Sequence, residues 1–486
     1  TCTDAAVGTV AMNANGSFSF VPAAGDAGAT ESFTYIVTDN GTPSPASSAP
    51  ATVTLTRFNR VWYVKNDSAA GGNGTSATPF DTLVEAQTAS VANDTIFVYF
   101  GTGTTNGQNA GIVLKNGQSL LGEFEGLSLP VNLNANGAPT VLVPVPTATA
   151  CGGAPCRPLI GNSGAGSNVV AATDVIPAVI GGFRIDPPGG ASNAIDVTTN
   201  VAFVGTGTLD IRNNIVIDAG AEGIDINANG TGANALTLLL HDNQLQATTG
   251  NAIDIVRTAG TLTITAFDDN VVTGAALANG IVVTGATFDT VAGNPIVAVP
   301  GGTTTIGVSG DGVGTGGLLL TTVVGELAFT DLDIFNGAGT GLGVTSTGAL
   351  NAAAGTGFRI SVPAGVATVD TSTGPAVSIN NASISLPLNF LRSTNSTTNG
   401  VSLVNAFGAL AGTALSASGG QITDPGAASG TAVNISGGTG NITLALPITN
   451  SSGRAVDVNT RASDTVLFSG AVAETGTGIS LTNNGG

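Results

Sequence analysis

The sequence predicts an all-β protein whose greater part is a repetitive solenoid, and three observations predict it. Apolar residues come in runs of three to six, cut by Gly, Asn, Thr or Asp. That is strand length, far below the ~18–20 residues that span a bilayer. Beyond residue 190, a small residue followed by apolar–any–apolar returns ten times, the mark of a stacked repeat. Glycine supplies 71 of 486 residues, which suits a chain of short strands joined by tight, left-handed turns.

Composition then excludes several functions. Charged residues are 9% of the chain and the formal charge is −19, so there is no basic footprint for a nucleic-acid backbone. Hydrophobic residues make up 42%, too many for a disordered chain of sparse charge. Side chains that do chemistry are scarce. His241 is the only imidazole, and Lys65 and Lys115 are the only amines. No initiator Met, charged leader or apolar signal core opens the chain, and it stops in a turn-like Asn-Asn-Gly-Gly486. It therefore reads as a piece of a longer protein.

Residues 1–58 read as a β module. Val7–Val10, Gly16–Val21, Ser32–Val37 and Ala51–Thr56 alternate apolar and polar residues, the period of half-buried strands. Asn15-Gly16 sets a hairpin between the first two. The wording Gly8-Thr-Val…Asn15-Gly-Ser-Phe-Ser-Phe-Val-Pro22…Glu31-Ser-Phe-Thr-Tyr-Ile-Val-Thr-Asp39…Ala51-Thr-Val-Thr-Leu-Thr56 resembles the second half of the bacterial Ig-like (cadherin-like) repeats of large surface proteins. The resemblance implies a partial β-sandwich, since the opening strands of that family and their acidic Asn-Asp segment are absent.

Residues 59–125 change register. Val61–Val64 is a strand, and Thr82 and Glu85 form a Thr-x-x-Glu capping box with Leu83, Ala86 and Ala89 or Ser90 on one helix face. Strands follow at Thr95–Phe100, Gly111–Leu114 and Gln118–Leu121. Trp62-Tyr-Val…Gly74-Thr-Ser-Ala-Thr-Pro-Phe-Asp-Thr-Leu83…Asn93-Asp-Thr-Ile-Phe-Val98…Ile112-Val-Leu-Lys-Asn-Gly-Gln-Ser-Leu-Leu-Gly122 resembles the opening segment of bacterial right-handed parallel β-helix (pectate-lyase-like) proteins. That resemblance implies a short helix plugging the open end of a solenoid, and an unpaired first rung does need such a cover.

Residues 126–486 carry the repeat. Its anchors are Ala194-Ile-Asp-Val197, Gly223-Ile-Asp-Ile226, Ala252-Ile-Asp-Ile255, Gly280-Ile-Val-Val283, Gly341-Leu-Gly-Val344, Ala376-Val-Ser-Ile379, Gly400-Val-Ser-Leu403, Ala432-Val-Asn-Ile435, Ala455-Val-Asp-Val458 and Gly478-Ile-Ser-Leu481. The spacing is 23 to 35 residues, apart from one step of 61 that reads as two coils with a degenerate copy. Between anchors, short strands such as Leu236–Leu240 end in Asn or Asp, as at Asn213-Asn214, Asp242-Asn243 and Asp269-Asn270. Coils of this length stack as a parallel β-helix, about 15 of them, in a rod of roughly 70 Å at the ordinary strand separation. An antiparallel sandwich array is the rival, and it calls for closer Asn-Gly hairpins.

Cys151 and Cys156 bracket Gly-Gly-Ala-Pro, a loop that closes as a disulfide in an oxidising, extracellular setting. A zinc knuckle competes but needs four ligands. Cys2 is left over, with its partner expected upstream. The aspartates of the Ile-Asp-Val/Ile units, Asp196, Asp225 and Asp254, with Asp457 as a further member, recur at one repeat position. Stacked, they would repel unless solvated or bridged by calcium. They are the weak calcium candidates, and calcium is the one cofactor the chain could take. Asp331-Leu-Asp333, Asp39-Asn40 and Gly310-Asp-Gly-Val-Gly314 are weaker versions, the last read as a loop.

Catalysis is poorly provided for. Asp268-Asp269 is the only Asp-Asp pair; a glycoside hydrolase needs two carboxylates flanking the sugar bond. His241 reads as a turn histidine bonded to a neighbouring carbonyl. Arg212, Arg257 and Arg359 are the candidates for a lyase base, each without an evident basic partner. Thr is abundant but does not recur in register along the sequence, which counts against an ice-binding ladder. No catalytic residue is assigned.

The function expected is that of an extracellular structural or adhesive protein of the bacterial cell surface. It would be a stiff β-helical element for adhesion or self-association, its partners other copies of itself or matrix components, with no nucleic acid. The alternative is a β-helical polysaccharide lyase or glycoside hydrolase, marked by a groove with clustered Asp and Arg. A third reading, an autotransporter passenger, needs a membrane barrel beyond residue 486.

Overall fold

A computed structural model describes residues 2–3, 8–13, 15–22, 30–42, 44–56, 59–129, 140–147, 151, 155–164, 166–187, 192–246, 249–274, 278–291, 293–408, 412–423, 430–461 and 463–485. The side chain of Cys2 and the middle of the Cys151–Cys156 loop lie outside the described residues. No helix among the described residues is long and apolar enough to cross a membrane.

In the N-terminal module the alternating segments pair antiparallel. Gly8–Met12 lies against Phe18–Pro22, and Thr30–Tyr35 lies between Cys2–Thr3 and Ala51–Thr56. The hairpin at Asn15-Gly16 closes through Asn13 N–H to Ser17 O (2.8 Å), with Gly16 at φ +85°. Val10 and Phe33 are buried, with Phe20, Tyr35, Val53 and Leu55 packed on them.

From Val61 every named strand but two pairs parallel. The exceptions are Leu127–Leu129 and Thr140–Val143, which form an antiparallel hairpin. The parallel strands fall into three columns, and each strand pairs with the strand one coil further on. The first column runs through Ile195–Thr199, Ile224–Ala228 and Ile253–Arg257. The second runs through Thr206–Arg212, Ala235–His241 and Thr261–Ala266. The third runs through Ile215–Ile217, Gln244–Gln246 and Val271–Thr273. The second column holds fourteen rungs, from Val61–Val64 to Val466–Phe468. At the ordinary strand spacing that is roughly 60 Å of stacked sheet. The arrangement is a long, regular stranded sheet consistent with a solenoid, and it leaves no room for the rival antiparallel array.

All ten anchors occupy one position of the first column. Ile195, Ile224, Ile253 and Ile281 pair in series, and Leu342, Val377, Val401, Val433, Val456 and Ile479 continue the row. Leu318, in Gly317-Leu-Leu-Leu320, fills the 61-residue gap between Ile281 and Leu342. From Ile195 to Val456 these side chains are buried in one continuous core. Stacking like on like fills a narrow interior, which is where the hydrophobic stabilisation arises. The small residue before each anchor sits where the chain turns in against the next coil. At Gly400 a Cβ would stand 2.4 Å from Ile422 Cγ2 and 2.9 Å from the Ala432 carbonyl oxygen.

The turn between the second and third columns explains the Asn and Asp residues that end strands. Asn213, Asp242 and Asp269 adopt φ of 56°, 57° and 57°, a conformation that Asn and Asp tolerate. The residues after them, Asn214, Asn243 and Asn270, point inward and are no more than 1% exposed. Asn243 Oδ1 accepts from Asn214 N–H and Nδ2 (3.2 Å each). Its Nδ2 donates to Ile211 O and His241 O (2.9 Å each) and to Asn270 Oδ1 (3.2 Å). This buried amide ladder satisfies the turn carbonyls that water cannot reach.

Threonine does recur in register on the outer face. Thr208, Thr237, Thr263 and Thr287 stack on successive rungs of the second column. The sequence hid this row because the intervening coils differ in length.

The helix Leu83–Ala89 begins at Thr82, with both arms of the capping box formed. Leu83 and Ala86 are fully buried in the main core. Lys115 Nζ donates to Gln87 O (2.8 Å) and to Ser90 O at the helix C-terminus, where a cation is favoured. The first rung is thus covered. Leu83→Ala opens a cavity beneath the helix and is expected to cost about 2–4 kcal/mol, read as a lower urea midpoint. An unchanged midpoint would mean that the helix does not seal the core.

Candidate functional site: stacked carboxylates and an ion-paired histidine

The first column brings Asp196, Asp225 and Asp254 together at one register on adjacent rungs. Alternation along Ile-Asp-Val/Ile buries both aliphatics and turns the acid outward. Asp457 is not with them. It occupies the same column much further along, between Asn434 and Ser480, and pairs with Arg454 NH1 at 3.0 Å.

Amides line the row. Asn193 Nδ2 donates to Asp225 Oδ2 (2.9 Å), Asn251 Nδ2 to Asp254 Oδ2 (3.1 Å), and Asn168 Nδ2 to Asp196 Oδ2. The other oxygen of Asp196 accepts from Thr198 Oγ1 (2.8 Å) and that of Asp225 from Asn227 Nδ2 (2.7 Å). Asn168 and Asn193 also accept, through Oδ1, the backbone N–H of the next coil, at Asn193 and Glu222. Glu222 takes the place of an Asn in that amide column and adds a fourth carboxylate beside Asp225. Partial burial, followed by the charges of Asp196, Glu222 and Asp254, pushes the Asp225 carboxyl up to about 7. Burial also raises Asp254. Neutral amide and hydroxyl donors hold the row, and no cluster of three or more metal-ligating side chains occurs among the described residues.

The second column builds a different cluster. Arg212 Nε lies 2.9 Å from Glu125 Oε2, and its NH1 contacts Asp210. Asn213 Nδ2 donates to Glu125 Oε1 (2.8 Å), and Arg157 NH1 donates to Asn213 O (2.6 Å). The Arg157 guanidinium stacks 3.5 Å above the centre of the Phe124 ring. His241, directly opposite Arg212 on the next rung, stands between two carboxylates: Nε2 is 3.2 Å from Asp210 and Nδ1 2.7 Å from Asp242. The expected carbonyl partner is therefore replaced by two acids. The bond to Asp210, then that to Asp242, outweighs burial and lifts the imidazole to about 9. A raised histidine stabilises the fold fully below its unfolded value, near 6.5, and the contribution is lost as pH rises through about 9. Because the chain has one histidine, its proton NMR titration is unambiguous. The midpoint is expected near 9 and to fall toward the ordinary value in Asp210→Asn; a wild-type midpoint near 6.5 would contradict the pairing.

The remaining candidates lie outside these two clusters. Arg257 donates to Gly285 O and Gly260 O. Arg359 grips Glu326 with two bonds, 2.6 and 2.7 Å. Asp269 Oδ1 accepts from Thr303 N–H (2.7 Å), and Asp39 Oδ1 accepts from Gly41 and Ala46 N–H. Burial and the neighbouring Asp333 raise Asp331. Cys151 and Cys156 are joined as a disulfide, with Cα atoms 5.3 Å apart.

Among known families, residues 1–56 match the bacterial Ig domain. No curated protein matches the chain, and no solved structure does.

Proposed function

We propose that the protein is an extracellular structural element of a bacterial surface. In this reading a stiff, right-handed parallel β-helix carries a partial Ig-like module and serves adhesion or self-association into a surface assembly. The observation that carries the reading is the parallel pairing that joins the described strands from Val61–Val64 to Gly478–Thr482 in one sheet, the hairpin of Leu127–Leu129 and Thr140–Val143 apart, in which each coil is held only by its neighbours. Ion pairs between successive rungs support it. Arg359 binds Glu326 opposite it in register, and Arg392 binds Asp370 in the same way, at 2.6 and 2.7 Å. Glu125, Asp210, Glu326 and Asp370 are each taken up by a cation, which favours a scaffold over the hydrolase or lyase alternative. The bacterial Ig domain match and the Cys151–Cys156 disulfide support a secreted or surface location.

Electron microscopy of the material isolated from the cell surface, with and without a calcium chelator, tests this. Ordered fibres or sheets, or isolated stiff rods, are the expected result. Flexible or compact particles would contradict it, and loss of order on chelation would make the aspartate row a calcium site.

A further inference from the structure

The second column carries an outward threonine grid apart from the sites above. Two registers build it. Thr206, Ala235 and Thr261 stack on three successive rungs; two residues further along each strand, Thr208, Thr237 and Thr263 do the same, continued by Thr287. Six of these seven positions are threonine, and the pairing runs through all of them without a register shift. Rungs repeat at ~4.8 Å and alternate residues of a strand at roughly 6.5–7 Å, so methyls and hydroxyls form a two-dimensional lattice. Beneath it Leu209, Leu238, Ile264 and Phe288 pair in series and are fully buried, which gives the grid a close-packed floor.

Two features distinguish it from ordinary strand surface. Its hydroxyls are free: Thr261 Oγ1 donates to Asn234 O (3.3 Å), whereas those of Thr206, Thr208, Thr237, Thr263 and Thr287 bond nothing among the described residues. The grid also carries no charge, on a chain of formal charge −19. Asp210, Arg212 and His241 lie on the same strands, one or two outward positions beyond it. Branching at Cβ restricts each threonine side chain, so the array is held in place before any partner arrives.

We infer that this face adsorbs to ice. A grid fits a periodic partner, because each rung repeats the contact made by the last. Both of its repeats lie near those of the water oxygens on a prism face of hexagonal ice. The hydroxyls then take lattice positions while the methyls fill the hollows between them. Ala235 keeps the methyl and lacks the hydroxyl, a single gap in the pattern. The uneven coil lengths that count against an ice-binding ladder in the sequence leave the register intact in the fold. A crystalline glycan is disfavoured, since no aromatic ring stands in the grid to stack on a sugar. A second copy of the same face is disfavoured too: methyl against methyl would strip water from the hydroxyls and return no partner. The inference rests on the adhesive side of the proposed function and gives it a solid partner.

The test is thermal hysteresis of the whole chain on a single ice crystal, together with the fraction of protein carried into a slowly growing ice front. A gap between melting and freezing points, a faceted crystal and enrichment in the ice are expected. Thr237→Lys, at the centre of the grid, should lose all three while its denaturation midpoint stays that of the wild type. Ala235→Thr fills the gap and should widen the hysteresis. Thr423→Lys, on the outer face of the third column, should behave as the wild type. Exclusion of the chain from ice with no hysteresis, activity unchanged in Thr237→Lys, or an equal loss in Thr423→Lys would each overturn the inference. Binding to powdered cellulose or chitin that Thr237→Lys abolishes would give the face another partner and overturn it as well. None of these outcomes bears on rod shape or assembly, so the structural reading fails or survives separately.

Discussion

Asp225→Asn is expected to make the protein more stable at and above neutral pH and no more stable below about pH 4. The sign follows from proton retention. The Asp225 carboxyl is raised to about 7 by burial and by Asp196, Glu222 and Asp254, while an unfolded aspartate titrates near 3.9. Between those values the folded chain holds a proton that the unfolded chain has released, so stability falls as pH rises through the window. The full displacement corresponds to about 4 kcal/mol; solvent on the open side of the row reduces it to on the order of 1–2 kcal/mol. An amide removes the charge while keeping the shape. Thermal melts of both proteins from pH 4 to 8.5 check this: the wild-type curve should slope downward with pH and the variant curve should be flatter. Parallel curves would mean that the three carboxylates are not stacked.

The largest loss is expected from Asn243→Leu. The side chain sits between Asn214 and Asn270 and serves both, as well as the carbonyls of Ile211 and His241. A leucine of similar size removes all of these bonds and leaves Asn214 N–H and Asn270 Oδ1 without the partner each has here, at about 1–3 kcal/mol each before relaxation, so a net cost on the order of 3–5 kcal/mol follows. Asn243→Asp, which keeps the acceptor but loses the donor, should fall between. Chemical denaturation of the three proteins reads the order; equal midpoints would contradict the ladder.

Much of this architecture is legible in the sequence, for a definable reason. The anchors announce themselves because a narrow core demands a small residue and then two aliphatics at the same place in each coil. The Ile-Asp-Ile register follows at once from strand alternation. The capping box at Thr82 and Glu85 is equally plain, since its chemistry is local. What stays hidden is whatever depends on counting across coils of unequal length. Leu318 fits the same small–apolar–any–apolar pattern but sits in a run of three leucines that by itself marks no face, and the Thr208–Thr237–Thr263–Thr287 row is spread over coils that differ in length. Asn214, Asn243 and Asn270 are visible as strand ends, yet their inward stacking is not. Asp210 lies in the coil before His241 and Glu326 in the coil before Arg359; nothing in the sequence fixes the offset that pairs them.

The central claim is one continuous parallel stack in a defined register, and paired cysteines read that register directly. Ser378 lies opposite Ser402 on the next rung, and Asn434 lies opposite Ser402 one rung further. Adjacent rungs are ~4.8 Å apart, within the reach of a disulfide, whereas two rungs exceed the ~7 Å limit. Mild oxidation should therefore cross-link Ser378→Cys/Ser402→Cys within one chain and leave Ser378→Cys/Asn434→Cys reduced, as seen by mass spectrometry after digestion. A cross-link in the second pair, or none in the first, would contradict the stack on which every other conclusion depends.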